Sequence, residues 1–166
     1  MKPKYLLVLP ILAIAAALYV LLVQDSKPAP EVVFQTLDGR TVQTSQLRGK
    51  VVLVNFWATT CPSCVKEMPQ MAATHTQFAN KGYETIAVAM SYDPPEQVQA
   101  FAQQKQLPFT IAFDPQGKIA DSFGGVRLTP TSFLIDKEGR IVQQYLGEPD
   151  FAKLRRTIDS LLSQSS

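Results

Sequence analysis

The stretch from Val51 to Pro69, VVLVNFWATTCPSCVKEMP, constrains this chain more than any other. Val51 to Trp57 is β-branched and aromatic, too short for a stable helix and polar only at Asn55, so it reads as a buried central strand. A short turn follows. Thr59 or Thr60 then stands ready to cap a helix, with Cys61 in its first turn and Pro62 near the first helical position, where a missing N–H costs nothing. Two cysteines three positions apart therefore arrive at the start of a helix that follows a buried strand.

That placement has a chemical consequence. The attacking species in disulfide exchange is the thiolate, and a helix N-terminus stabilises an anion through its free N–H groups and dipole. Cys61 is the candidate nucleophile. Cys64, one turn further in and less exposed, suits a resolving thiol that attacks a mixed disulfide from within. Other uses of the pair fit less well. A zinc site needs four ligands, and the only other soft candidate is His75. A purely structural Cys61–Cys64 bridge would close too short a loop to remove much unfolded-chain entropy. The reading calls for neither a metal nor a cofactor.

The N-terminus sets the compartment. Lys2 and Lys4 precede an apolar run from Tyr5 to Val23 that only Pro10 interrupts, long enough at 1.5 Å per residue to cross about 30 Å of hydrocarbon. The end of the run, VLLVQ, has no small-x-small cleavage pattern, which favours a retained signal anchor over a cleaved, secreted periplasmic form. With the lysines on the inner side, residues 1–4 are cytoplasmic, 5–23 span the inner membrane once, and the catalytic domain faces the periplasm. Gln24 to Pro30 is proline-rich and reads as a tether, so the domain is expected over residues 31–166. A net charge of +2 without a basic cluster beyond Lys4 argues against nucleic acid.

Downstream, Asp38-Gly39 marks a hairpin, and helical spacing continues past the cysteines through Met68 and Met71 to Gly82, with Pro69 expected to kink the helix. Tyr83–Met90 reads as a second buried strand. A helix follows within 93–106, opened by Pro94 and Pro95, then a short strand at 109–113 and a short helix at 119–123. Strands at 131–135 and 141–146 flank the turn DKEGR. A final helix from Asp150 carries Phe151, Leu154, Ile158, Leu161 and Leu162 on one face. This order argues for an α/β fold with a mixed sheet covered on both faces.

FWATTCPSCVKEMP, the later RLTPTSFLID, and the terminal hairpin and helix together resemble the TlpA, ResA and CcmG group of membrane-anchored thiol-disulfide oxidoreductases. The resemblance covers roughly Glu31 to Leu162. It implies a thioredoxin fold with an N-terminal β-hairpin extension and a helix-strand insertion at 93–123. It makes Cys61 the nucleophile, Cys64 the resolving thiol and Cys61–Cys64 the redox disulfide. It also makes Pro130 a cis-proline against the cysteines and Thr129 a backbone contact for substrate. Trp57 packs beside the site and is carried with Thr129 and Pro130 as a substrate-side residue.

Cytoplasmic thioredoxins have a buried Asp where this chain has Asn55. The group it resembles commonly has Asn there and a Glu three residues after the second cysteine, here Glu67, a candidate proton acceptor or pKa modulator for the dithiol. The resemblance further implies protein thiol or disulfide substrates, in cytochrome c maturation, copper-site assembly or general thiol homeostasis. It also implies electrons from a membrane donor of the DsbD or CcdA type. Two alternatives from other classes remain open at this stage. A thiol peroxidase of the same fold would need a proline and a threonine where Val54 and Ala58 stand, and the other alternative is a non-catalytic copper- or thiol-binding module.

Overall fold

The computed structural model describes residues 27–164. The expected anchor at 5–23 lies outside the described residues, among which no helix is long and apolar enough to cross a membrane.

Among the described residues eight strands form one mixed sheet: β1 (Lys27–Pro28), β2 (Val33–Thr36), β3 (Thr41–Gln43), β4 (Val51–Trp57), β5 (Tyr83–Ala89), β6 (Thr110–Phe113), β7 (Thr131–Ile135) and β8 (Arg140–Leu146), in the order β1-β8-β7-β4-β5-β6-β2-β3. The centre is β4, parallel to β5 and antiparallel to β7. All seven of its residues are buried, which explains the near-continuous apolar run. Helices α1 (Pro62–Phe78), α2 (Pro95–Lys105), α3 (Lys118–Ser122) and α4 (Phe151–Ser163) complete the fold.

Strand alternation divides β4 and β5 between two cores. Val51, Leu53 and Trp57, with Tyr83, Ala87 and Ala89, face α1 and α4. Val52, Val54 and Phe56, with Ile86, Val88 and Met90, pack on the opposite side against α3, Phe123 and Phe133. There Phe56, Phe123 and Phe133 form an aromatic cluster with centroids 5.0 to 6.0 Å apart, edge-to-face where Phe56 meets the other two.

The structure departs from the sequence reading at two places, the tether and the helix cap. The proline-rich stretch read as a tether is shorter than 24–30, because Lys27 and Pro28 pair with Ile141 and Arg140 at the sheet edge and Ala29 is buried. Pro is compatible with an edge strand, where its missing N–H costs no ladder bond. Pro69 lies inside α1, as the sequence placed it. Helix capping also differs: neither Thr59 nor Thr60 caps α1, because the N-cap is Cys61 itself.

Candidate active site

Strand β4 delivers the chain to the rim of the sheet, and a three-residue turn carries it to Cys61 in extended backbone conformation (φ −96°, ψ 106°). The Cys64 N–H points at Cys61 Sγ, 3.3 Å away, so the sulfur occupies the capping position that a hydroxyl or carboxylate oxygen usually fills. A thiolate there would meet the positive end of a helix of 17 residues whose first turn contains no acidic side chain. In the structure Cys61 and Cys64 are joined as a disulfide, with Cα atoms 5.3 Å apart. Cys61 is half-buried and Cys64 fully buried. Only the first sulfur is within reach of a second protein.

The turn before Cys61 is held from a distance. Asp93, buried just after β5, accepts the Thr59 N–H and the Thr59 hydroxyl, both at 2.6 Å. This is the work of the hydroxyl that the sequence reading assigned to capping. Nothing in the local sequence pointed to Asp93, since its partner lies 34 residues away; its place before Pro94 and Pro95 read only as a helix opening.

On the other side of the disulfide, the Thr129–Pro130 bond is cis and the Thr129 carbonyl oxygen lies 3.5 Å from Cys61 Sγ. Pro130 is buried and its carbonyl accepts the Gly147 N–H at 2.8 Å, tying the loop to the end of β8. Tyr92, exposed, brings its hydroxyl 3.4 Å from Thr129 Oγ1. Ser63 Oγ lies 3.4 Å from Cys61 Sγ.

Trp57 requires a correction. It is fully buried, with its ring 5.4 Å from that of Phe101, and offers no surface to a substrate. As the last residue of β4, its odd position turns it under α1. Its part is to support the turn from beneath.

Glu67 is also fully buried, so it is not a solvated neighbour of Lys66. One turn beyond Cys64 on the inner face of α1, its Oε1 accepts the Asn55 side-chain N–H at 3.0 Å. The same Asn55 Nδ2 donates to Ser132 Oγ on β7 at 2.9 Å. Burial pushes the Glu67 carboxyl up to about 7. The Asn55 hydrogen bond pulls against that rise and the Glu148 charge adds to it. Glu67 Oε2 has no partner among the described residues, which leaves one oxygen free to carry a proton. Asn55, Glu67 and Ser132 thus join β4, α1 and β7 beneath the disulfide. Among the described residues no cluster of three or more His, Cys, Asp or Glu is arranged to hold a metal ion.

Four similarities accompany this geometry. The Redoxin family model matches residues 24–158. The thiol-disulfide oxidoreductase ResA of Bacillus thuringiensis (strain Al Hakam) is 41% identical over 125 residues, 75% of this chain and 71% of that protein. ResA of Geobacillus thermodenitrificans is 34% identical over 133 residues, 80% and 75% of the two chains. Among solved structures, a thiol:disulfide interchange protein of the thioredoxin family from Chlorobium tepidum superposes with a TM-score of 0.76 at 26% identity, covering 83% of this chain and 97% of that one.

Proposed function

This chain belongs to the Redoxin family and is a protein-disulfide reductase with a thioredoxin fold, and from that premise we propose that it works from the outer face of a bacterial inner membrane with Cys61 as its nucleophile. The observation that carries the assignment of roles is the unequal access of the two sulfurs: Cys61 caps a helix at the surface beside Thr129, and Cys64 is enclosed.

In the proposed cycle the Cys61 thiolate attacks one sulfur of a partner's disulfide. A Cys61–partner bond forms, the partner's S–S bond breaks, and one partner thiolate leaves. Cys64 then gives up its proton and attacks Cys61 Sγ. The mixed disulfide breaks, the partner leaves with two thiols, and Cys61–Cys64 is oxidised by two electrons. Glu67, one helical turn from Cys64 and poised near neutrality, takes the Cys64 proton. Thr129 and Pro130 supply the surface against which the partner's cysteine lies.

Return to the dithiol needs two electrons from outside the protein. The apolar run at 5–23 behind Lys2 and Lys4 supports a membrane anchor and hence a membrane donor of the DsbD or CcdA type. Substrates on this reading are oxidised thiols of cytochrome c maturation, copper-site assembly or general thiol homeostasis.

A Cys64→Ser trap tests the roles. Expressed in the native host, it should accumulate partners disulfide-bonded to Cys61 and released by dithiothreitol, and Cys61→Ser should capture none. Equal capture by the two single variants would overturn the assignment of nucleophile. Protease added to spheroplasts should digest the domain if it lies outside the membrane; protection until lysis would overturn the location.

A further inference from the structure

Strand β8 is covered unequally. Its inner neighbours pack into the core, but among the described residues the face it shares with Phe123 and Phe133 carries no α-helix beyond the five residues of α3. A groove of about 560 Å³ runs along it, between Pro28 and Pro30 at one end and Phe123 and Gln144 at the other. A recess of about 210 Å³, lined by Phe123, Leu128, Thr131 and Leu146, continues it, since both cavities share Phe123, Gly124 and Gln144. The channel therefore ends at Leu128, the residue next to Thr129, whose carbonyl faces Cys61 Sγ.

We propose that this groove binds an extended, apolar segment of the disulfide-bearing substrate polypeptide, bearing an acidic residue, on the side of the sheet opposite α1. The inference rests on the disulfide-reductase reading above and adds to it the class of substrate. Three observations carry it. Leu128, Val142 and Leu146 are 72%, 36% and 72% exposed, three of the five exposed large hydrophobics among the described residues, and all three border this one channel or its rim. The channel is continuous with the cysteine site through Leu128-Thr129-Pro130 and through the Gly147 N–H that binds the Pro130 carbonyl. Among the described residues its charged lining is Lys27 at one end and Arg127 at the other, with no acidic side chain between them. A folded partner would reach the rim with a protruding loop only; an extended chain fills a groove. From Val142 to Leu146, at about 3.3 Å per residue, the strand offers room for a segment of about five residues beyond the reactive cysteine.

The test compares three disulfides with the purified full-length protein: oxidised glutathione, a disulfide-bridged peptide with about eight apolar residues and one Glu flanking its cysteine, and the same peptide cut back to about two flanking residues. Wild type should reduce the long peptide with the highest kcat/KM. A Val142→Ser/Leu146→Ser variant should lose about tenfold in kcat/KM on the long peptide, chiefly through KM, as expected for two lost apolar contacts, with the short peptide and glutathione unchanged. Lys27→Glu should weaken the Glu-bearing peptide and not its Gln counterpart. An equal fall on all three substrates, or no change on the long peptide in a variant with wild-type melting behaviour, overturns the groove and leaves the reductase assignment intact. Failure of wild type to reduce any of the three would instead sink the reductase assignment, a result the groove variants cannot mimic.

Discussion

The two faces of the sheet are built from the same strands and differ in kind. Beneath α1, odd-numbered residues of β4 and β5 share the core with buried polar groups. The buried side-chain atoms without a partner among the described residues are Asn55 Oδ1, Trp57 Nε1, Glu67 Oε2, His75 Nδ1, Tyr83 OH and Thr85 Oγ1, and all belong to this face. On the opposite face, held by Phe56, Phe123 and Phe133, the buried polar side chains Thr36, Asp114 and Thr131 are all hydrogen-bonded. Unsatisfied buried polar atoms cost stability. Of these, Asn55 and Glu67 belong to the network beneath the disulfide, where the cost accompanies the chemistry, and the other side supplies the cohesion to tolerate it.

The largest test of this contrast removes the cohesion. Phe56 is fully buried and makes two edge-to-face contacts. Phe56→Ala should destabilise the domain by about 3–5 kcal/mol through lost transfer and the cavity left behind. Denaturant unfolding measures this, and the pH dependence of stability should keep its wild-type shape. A change in that shape would mean the faces are not separable.

The next test addresses the polar face. The ordinary carboxyl value for Glu67 is 4.5 and burial raises it to about 7, so the folded protein holds this proton more tightly than the unfolded chain. Stability from this group is fully present below about 4.5 and is lost as pH rises towards about 7, by on the order of 3 kcal/mol for a shift of that size. Glu67→Gln keeps the shape and an acceptor for Asn55 but cannot ionise. The variant should unfold with a flatter pH profile between 4.5 and 7 and should lose the matching inflection in its disulfide-exchange rate. Wild-type slopes in both would show that Glu67 does not titrate in this window.

How much of this was legible beforehand follows from the range of each interaction. The strand-turn-helix around the cysteines and the hairpin at Asp38-Gly39 depend on neighbours in sequence, and both lie where the pattern placed them. The i+3 spacing of Cys64 and Glu67 put the acid on the right side of α1. It said nothing of what opposed it, so the burial of Glu67 emerges only with β4 and β7 in place. Trp57 looked like a surface neighbour of Cys61 because four residues is a short distance along a chain, yet strand alternation turns it inward. Pro28 and Pro30 have the composition of a tether, and only the open edge of β8 makes strand pairing available to Lys27 and Pro28. Asp93 was invisible for the same reason, its partner being remote in sequence.

Asp93 also gives the finest test, because it stands at the rim where the two faces meet. Its carboxylate accepts two hydrogen bonds from Thr59 and fixes the turn that presents Cys61. Hydrogen bonds to a charged group contribute about 1.5–3 kcal/mol each where they are buried, less where one partner is half-exposed as Thr59 is, so Asp93→Ala should cost roughly 2 kcal/mol. The cost should be smaller than that of Phe56→Ala because no apolar core is opened. Its effect on exchange should exceed its effect on stability, since a loosened turn lets Cys61 leave the capping position and forfeits the Cys64 N–H that favours its thiolate. Titration of the Cys61 thiol in the reduced variant should therefore move upwards towards that of a free cysteine. An unmoved thiol in a destabilised variant would show that the helix start holds the sulfur without help from the turn, and that the chemistry of the α1 face is independent of its rim.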